Sequence, residues 1–445
     1  MDDNRKLTPR TLTNSNDAER SHAVIPGGAH TYSKGDDQFS ANAPSHLERG
    51  KGVQVWARDG REFLDWTMGL RSVSLGYGIE SVNRAAVDQI WKGSNFGRPS
   101  FIETEYAEEL LGSLPRYAEM VKYAKNGSNV TSAAVKLARA YTGRNLVALC
   151  KDHPFFSFDD WFIGTTVVDA GVPTFEKSLS LSFPYGDAAA LAGLFAEHPG
   201  EIACVIMEAA TAEHPPEQYL ESVRNLCTKN GTVLIVDEMI TGFRWHNQGA
   251  QAYYGIEADI ATFGKGIANG FSFAALVGRR DILSLGGLLT KNPRVFLLSG
   301  THSAENHAIS AARETLRIFR TEPVIETMWK IGGALVTALN RAARDAGIPE
   351  TSFVAGGVSC SPWFAFYDSR GAVSMPLRTL FLQEMIKKGV IINYISPSYS
   401  HKPEHVDRTA AAARESFSIV RRALEGDIGE FLVGPAIKPV FRKYN

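Results

Sequence analysis

Neither sign of charge dominates this chain: 47 basic and 48 acidic residues leave a formal net charge of −1. A balanced surface gives no electrostatic ground for binding nucleic acid or an anionic membrane. No apolar run approaches the roughly 20 residues needed to span a bilayer, and the opening MDDNRKLTPR lacks an apolar signal core. Cysteine is scarce. Cys150, Cys204, Cys227 and Cys360 lie far apart with no C-x-x-C pair, and two of them fall in strand-like apolar runs. Buried thiols are therefore expected, not disulfides or metal ligands. His302 and His307 are five apart, the wrong spacing for two metal ligands on one helix face. These absences lead to the expectation of a soluble, cytoplasmic protein.

What is present reads as an α/β protein. A hydrophobic share of 44% with 21% charged residues is ordinary for a globular chain, and 445 residues suit two or three domains. Short apolar runs recur through the middle third: NLVALC (145–150), IACVIME (202–208), TVLIVDE (232–238), DIATFG (259–264) and FAALVG (273–278). Such runs, apolar on both faces with helical patterns between, predict a parallel sheet. The helix after NGSN is marked by Val130, Ala133, Ala134, Leu137, Ala138 and Tyr141, with Gly143 as its stop. Residues 304–346 predict an alanine-rich helical region broken near Pro323 and closed at Gly347. A smaller unit follows, and GVQVWARDGREFLDW near the start predicts a hairpin.

The chemistry centres on ADIATFGKGIANG (258–270), where Lys265 stands between Gly264 and Gly266. Three common glycine motifs fail on a necessary residue. A P-loop needs glycine where Asp259 stands and a hydroxyl where Gly266 stands; Gly264, Gly266 and Gly270 are one residue too wide for G-x-G-x-x-G; GFSFA lacks the last glycine of a nucleophile elbow. Alone, Lys265 would be an exposed loop lysine. Asp237 in LIVDEMITGFRW closes an apolar strand, where its charge needs a partner or where it caps a turn. A protonated ring nitrogen is such a partner, a lysine can hold an aldehyde as a Schiff base, and the glycine-led start of the NGSN helix can cup an anion. Those are the three requirements of pyridoxal 5'-phosphate.

The ordered set IPGGAH, NGSNVTSAAVKLARAYTGR, LIVDEMITGFR, ADIATFGKGIANGFSFAALVG and SGTHSAENHAISAARETL resembles the class III, fold-type I pyridoxal-phosphate aminotransferases, on the side of the glutamate-1-semialdehyde 2,1-aminomutases. The resemblance covers most of the chain. It implies a large domain (71–315) with a mainly parallel seven-stranded sheet between helices. A smaller α+β domain would be built from an N-terminal hairpin segment (1–70) and a C-terminal part (316–445). It implies Lys265 as Schiff-base and proton-shuttling lysine, and Asp237 as partner of the ring nitrogen. Gly127, Ser128 and the adjoining Asn129 would form the phosphate cup, with Phe155 stacking on the ring. Thr301 would reach the phosphate of a second copy, which implies a homodimer with shared active sites. Glu208, ending IACVIME, reads equally as a hydrogen-bonding support of the site or as a structural group.

Departures from that pattern gather on the substrate side. The aminomutases carry Ser-Gly-Thr-Glu-Ala where NGSNV stands, so their glutamate is replaced by Asn129, and Tyr-His-Gly where Phe155, Phe156 and Ser157 stand. Lys34 occupies the place of an arginine that binds a carboxylate, and Ser400 that of a glutamate. An ammonium does not reproduce a guanidinium fork. The expectation is a retained transamination between an amino donor and a ketone or aldehyde, with a sugar or specialised-metabolite carbonyl as acceptor. Lys34, Arg71 and His401 are the candidate substrate contacts, with a surface or interface ion pair as the alternative for Arg71. An intramolecular aminomutase, a cofactor-binding protein without turnover, and racemisation or decarboxylation on the same scaffold remain open at this point.

Overall fold

The computed structural model describes residues 17–153, 155–210 and 212–444. Its large sheet contains β4 (Met120–Ala124), β5 (Leu146–Cys150), β6 (Ser180–Phe183), β7 (Ile202–Met207), β8 (Val233–Asp237), β9 (Ile260–Phe263) and β10 (Ala274–Gly278), in the order β4-β10-β9-β8-β7-β5-β6. The strands from β9 to β6 run parallel, while β10 pairs antiparallel with both β9 and β4. The expected seven-stranded, mainly parallel sheet is therefore present. FAALVG, expected among the parallel strands, is the reversed one. The turn after the lysine segment is short, and a short connection joins antiparallel neighbours whereas a parallel return needs a long crossover.

Alternation explains why both faces are covered. In β8, Leu234 and Val236 join one apolar cluster while Val233 and Ile235 join the other; in β7, Val205 and Met207 oppose Cys204 and Ile206 in the same way. Successive side chains point to opposite faces, so a strand buried on both sides must be apolar throughout. The helix Gly127–Thr142 lies on one face; Asn126 caps its start, and Gly143 ends it at φ 68°. The region predicted helical from 304 is two helices, Asn306–Thr321 and Val324–Asp345, separated at Pro323. All four cysteines are free and buried. Among the described residues no helix is long and apolar enough to cross a membrane.

A second core is built from both ends of the chain. Strands β1 (Leu47–Lys51), β2 (Gln54–Ala57) and β3 (Glu62–Asp65) form an antiparallel meander, and the two-residue β13 (Val390–Ile391) joins β3 in parallel. Behind them Trp66 and Leu64 pack with Phe353, Phe364, Phe366, Phe381 and Phe417, which come from the pair β11 (Phe353–Gly356) and β12 (Trp363–Phe366) and the helices Met375–Lys387 and Pro403–Leu424. Arg244, on the loop after β8, ties the two cores together. Its buried guanidinium donates to the carbonyls of Cys360 (3.1 Å) and Pro397 (3.0 Å), and to Ser74 Oγ (3.3 Å).

Candidate active site

β7, β8 and β9 end in one row, and β4, antiparallel to the reversed β10, ends on the same edge. Open α/β sheets bind ligands at the carboxyl ends of their strands. The residues that follow these ends are Glu208, Asp237, Lys265 and the Asn126–Asn129 turn.

Asp237 is buried, and only one of its oxygens is used by the protein. Oδ1 accepts from the Met239 amide (3.0 Å) and from Thr262 Oγ1 (2.9 Å) on the adjoining strand; Oδ2 has no hydrogen-bond partner among the described residues. Burial pushes this carboxyl up to about 6, opposed by the nearby Lys265 ammonium. Glu208 is buried beside it, and burial together with the Asp237 charge pushes its carboxyl up to about 8. Lys265 is held below the ordinary lysine range because desolvation outweighs the attraction of Glu208 and Asp237. A lysine that sheds its proton readily is the nucleophile that attack on an aldehyde requires.

The glycines around Lys265 answer to close approaches. A Cβ on Gly264 would lie 2.5 Å from Met239 Sδ, which also stands 2.9 Å from a Cβ on Gly127, so one thioether is wedged between the lysine segment and the NGSN turn. A Cβ on Gly266 would meet Ser74 Oγ at 2.4 Å. Asn269 locks the same loop to the N-terminal segment: its Oδ1 accepts from the Leu75 amide (2.9 Å) and its Nδ2 donates to the Gly76 carbonyl (3.0 Å). Lys265 itself has φ 46°, a left-handed conformation that non-glycine residues adopt at a cost.

Ahead of that segment is a rarer strain. Met68, Gly69, Leu70 and Arg71 have φ of 43°, 58°, 59° and 69°, a consecutive left-handed turn closed by Arg71 N–H to the Thr67 carbonyl (3.2 Å). For residues with a Cβ this costs roughly 1–2 kcal/mol each. Asp65 holds the turn, accepting from the Thr67 amide (2.7 Å) and hydroxyl (2.6 Å), the Met68 amide (3.2 Å) and Tyr77 (2.7 Å). The result brings Arg71 within electrostatic reach of Lys265 and Glu208.

The NGSN turn fits an anion. Asn126 accepts the Asn129 amide at 3.1 Å, and first-turn amides such as those of Gly127 and Ser128 have no acceptor within the helix. Ser128 Oγ accepts from the Phe158 amide (3.1 Å), tying the turn to the aromatic segment. Asn129 spends its own amide on the cap. Phe155 keeps 44% of its surface exposed and meets Phe162 edge-on at 5.6 Å. Thr301 is exposed on this chain. A free carboxylate oxygen, a lysine held below its ordinary range and the free first-turn amides of a helix together fit pyridoxal phosphate.

Two other expected contacts lie apart. His401 is buried, stacks on Trp66 with ring centroids 4.0 Å apart, and takes the Ser398 amide on Nδ1 (3.1 Å); burial holds it down to about 3. It is a core histidine under Trp66, and a substrate contact does not fit that position. Lys34 is exposed, one residue from Ser33, which bonds Tyr394 beside Arg71. Sequence reasoning missed Tyr394, Ser74 and Arg244. The last stood in the quoted LIVDEMITGFR, but nothing local marks an arginine whose acceptors lie 116 and 153 residues away.

The family model "Aminotransferase class-III" matches residues 36–393. The chain is a class III aminotransferase. Solved structures agree with this. The pyridoxal-phosphate internal aldimine form of the FumI protein from Sphingopyxis sp. MTA144 superposes with TM-score 0.83 at 27% identity, over 92% of this chain and 96% of that one. An omega-transaminase from Sphaerobacter thermophilus gives 0.80 at 23%, over 91% and 97%. A glutamate-1-semialdehyde-aminomutase from Pseudomonas aeruginosa PAO1 gives 0.77 at 19%, over 91% and 94%. The aminotransferase is thus a fold-type I, pyridoxal-phosphate-dependent transaminase.

Proposed function

We propose that this aminotransferase moves an amino group from a small-molecule donor to a ketone or aldehyde acceptor, with Lys265 and Asp237 as its two central residues. The observation that carries the reading is the free Oδ2 of Asp237 beside a half-buried Lys265, held below the ordinary lysine range, at neighbouring strand ends. Bound here, pyridoxal phosphate supplies an aldehyde and an electron sink. Asp237 accepts the ring N–H and keeps that nitrogen positive. Lys265 would hold the aldehyde carbon, and its amine would be the general base that moves a proton. Gly127 and Ser128 receive the phosphate on their amides, with Asn129 beside them, and Phe155 covers the ring. The protein works as a cytoplasmic homodimer in which Thr301 of each copy completes the other's phosphate site. A sugar or specialised-metabolite carbonyl as acceptor follows from Lys34 standing where a carboxylate-binding arginine is expected.

Borohydride reduction followed by peptide mass spectrometry tests the covalent link. The pyridoxyl group is expected on Lys265 and nowhere else, and Lys265→Ala is expected to carry none. Asp237→Asn should still be labelled but transaminate roughly 10²-fold more slowly, since a preorganised charge facing the reacting system is lost. Label on another lysine, or an undiminished Asp237→Asn enzyme, refutes the reading. A requirement for an external amino donor separates transamination from intramolecular amino migration.

A further inference from the structure

The segment that follows Phe155 is bonded, residue after residue, to the first two turns of the helix Gly127–Thr142. Thr131 Oγ1 donates to the Phe156 carbonyl (2.8 Å), and the Phe158 amide donates to Ser128 Oγ (3.1 Å). Between these two bonds Ser132, Asp159 and Ser157 close a ring. Ser132 Oγ donates to a carboxylate oxygen of Asp159, the Asp159 amide donates to Ser157 Oγ (3.1 Å), and the two serine oxygens lie 3.0 Å apart. Ser132 has one hydroxyl proton and the carboxylate takes it, so Ser157 is the donor of the last bond. Trp161 Nε1 donates to the same Ser132 oxygen at 2.8 Å. Thr131, Phe156, Ser157 and Trp161 are all buried. Asp159 stands at the N-cap of the helix Asp160–Ile163 but accepts none of its amides, the bond an aspartate there ordinarily makes. Its carboxylate serves the neighbouring helix instead.

Phe155 itself has little else to hold it. It is exposed, and among the described residues its one ring contact is the edge-on meeting with Phe162. A ring that must be ordered at the moment of binding costs affinity, whereas one already held in place does not. We propose that Ser132 and Asp159 are positioning residues for the cofactor: their hydrogen-bonded ring with Ser157 fastens the segment behind Phe155 to the cup helix and so holds Phe155 over the pyridine ring. The charged member matters most, since a hydrogen bond to a carboxylate is roughly twice as strong as one between neutral groups. The proposal rests on the function proposed above and adds to it the support that Phe155 requires.

Binding of 4-deoxypyridoxine 5'-phosphate to the full-length protein freed of cofactor, measured by titration calorimetry, tests this without turnover. The analogue has the ring and the phosphate but no aldehyde, so Lys265 does not enter. Ser132→Ala should bind it at least about tenfold more weakly than the wild type, Asp159→Asn should fall between, and Ser132→Thr, which keeps the hydroxyl, should stay within about threefold. Inorganic phosphate, which meets the cup alone, should bind wild type and Ser132→Ala within about threefold of each other. An effect exerted through Phe155 must shrink when that ring is removed, so in a Phe155→Leu background Ser132→Ala should cost less than about threefold. An unchanged melting temperature establishes that the variants fold. Equal binding of the analogue by wild type and Ser132→Ala, an equal loss in Ser132→Thr, an equal loss for inorganic phosphate, or a loss undiminished beside Phe155→Leu overturns the proposal. A wild type that binds neither the analogue nor pyridoxal phosphate overturns the function proposed above and this proposal with it.

Discussion

Replacing Gly266 by alanine probes the contact that seats the lysine. The new Cβ would stand 2.4 Å from Ser74 Oγ, about 1 Å inside ordinary van der Waals contact, and 3.4 Å from Ser74 Cβ. Only the hydroxyl clashes. It cannot swing away freely, because it accepts from Arg244 at 3.3 Å, and the loop cannot retreat, because Asn269 is bonded at 2.9 and 3.0 Å to residues 75 and 76. Overpacking of this kind costs about 1–3 kcal/mol. Ser74→Ala removes the clashing atom at the loss of one long hydrogen bond, about 1 kcal/mol. Urea denaturation of wild type, both single variants and the double variant closes a mutant cycle. Gly266→Ala is expected to be destabilised by about 1–3 kcal/mol, and the pair to show a favourable coupling of at least about 1 kcal/mol. Transamination should follow the same order, since displacement of Gly266 moves Lys265. A Gly266→Ala protein as stable as the wild type, or a double variant no better than additive, would show that this packing does not seat the lysine.

Two further outcomes can be checked directly. Glu208 has a folded pKa of about 8 against an ordinary 4.5, so the folded protein holds its proton more tightly than the unfolded chain. Its contribution to stability is full below pH 4.5 and is lost as pH rises through about 8, so Glu208→Gln should flatten the urea-denaturation profile over that window; an unchanged slope refutes the assignment. For the dimer, mixing Lys265→Ala with Thr301→Ala subunits should restore activity, because the hybrid contains one site with both residues intact. No gain over the parents after subunit exchange argues against a shared site.

Much of the architecture was legible because it is local. The apolar runs in β5, β7, β8, β9 and β10 differ from the observed strands by a residue or two at the ends. The helix from Gly127 carries its own cap and stop. β4 and β6 were missed: MVKYA contains a lysine and SLSF alternates serine with apolar residues, so neither is a continuous apolar run. The reversed direction of β10 was equally invisible, since a strand's composition does not record which way its neighbours run.

The sequence alone determined the alternation that builds a two-faced sheet, the glycine-flanked lysine and the strand-ending aspartate, because periodicity and backbone freedom are properties of neighbouring residues. Only the tertiary structure decided which charges meet. His401 and Arg71 were offered on equal terms as substrate contacts; folding stacks the first under Trp66 and leaves the second unpaired beside Lys265. Burial and charge pairing depend on residues hundreds of positions apart, and no local pattern encodes them.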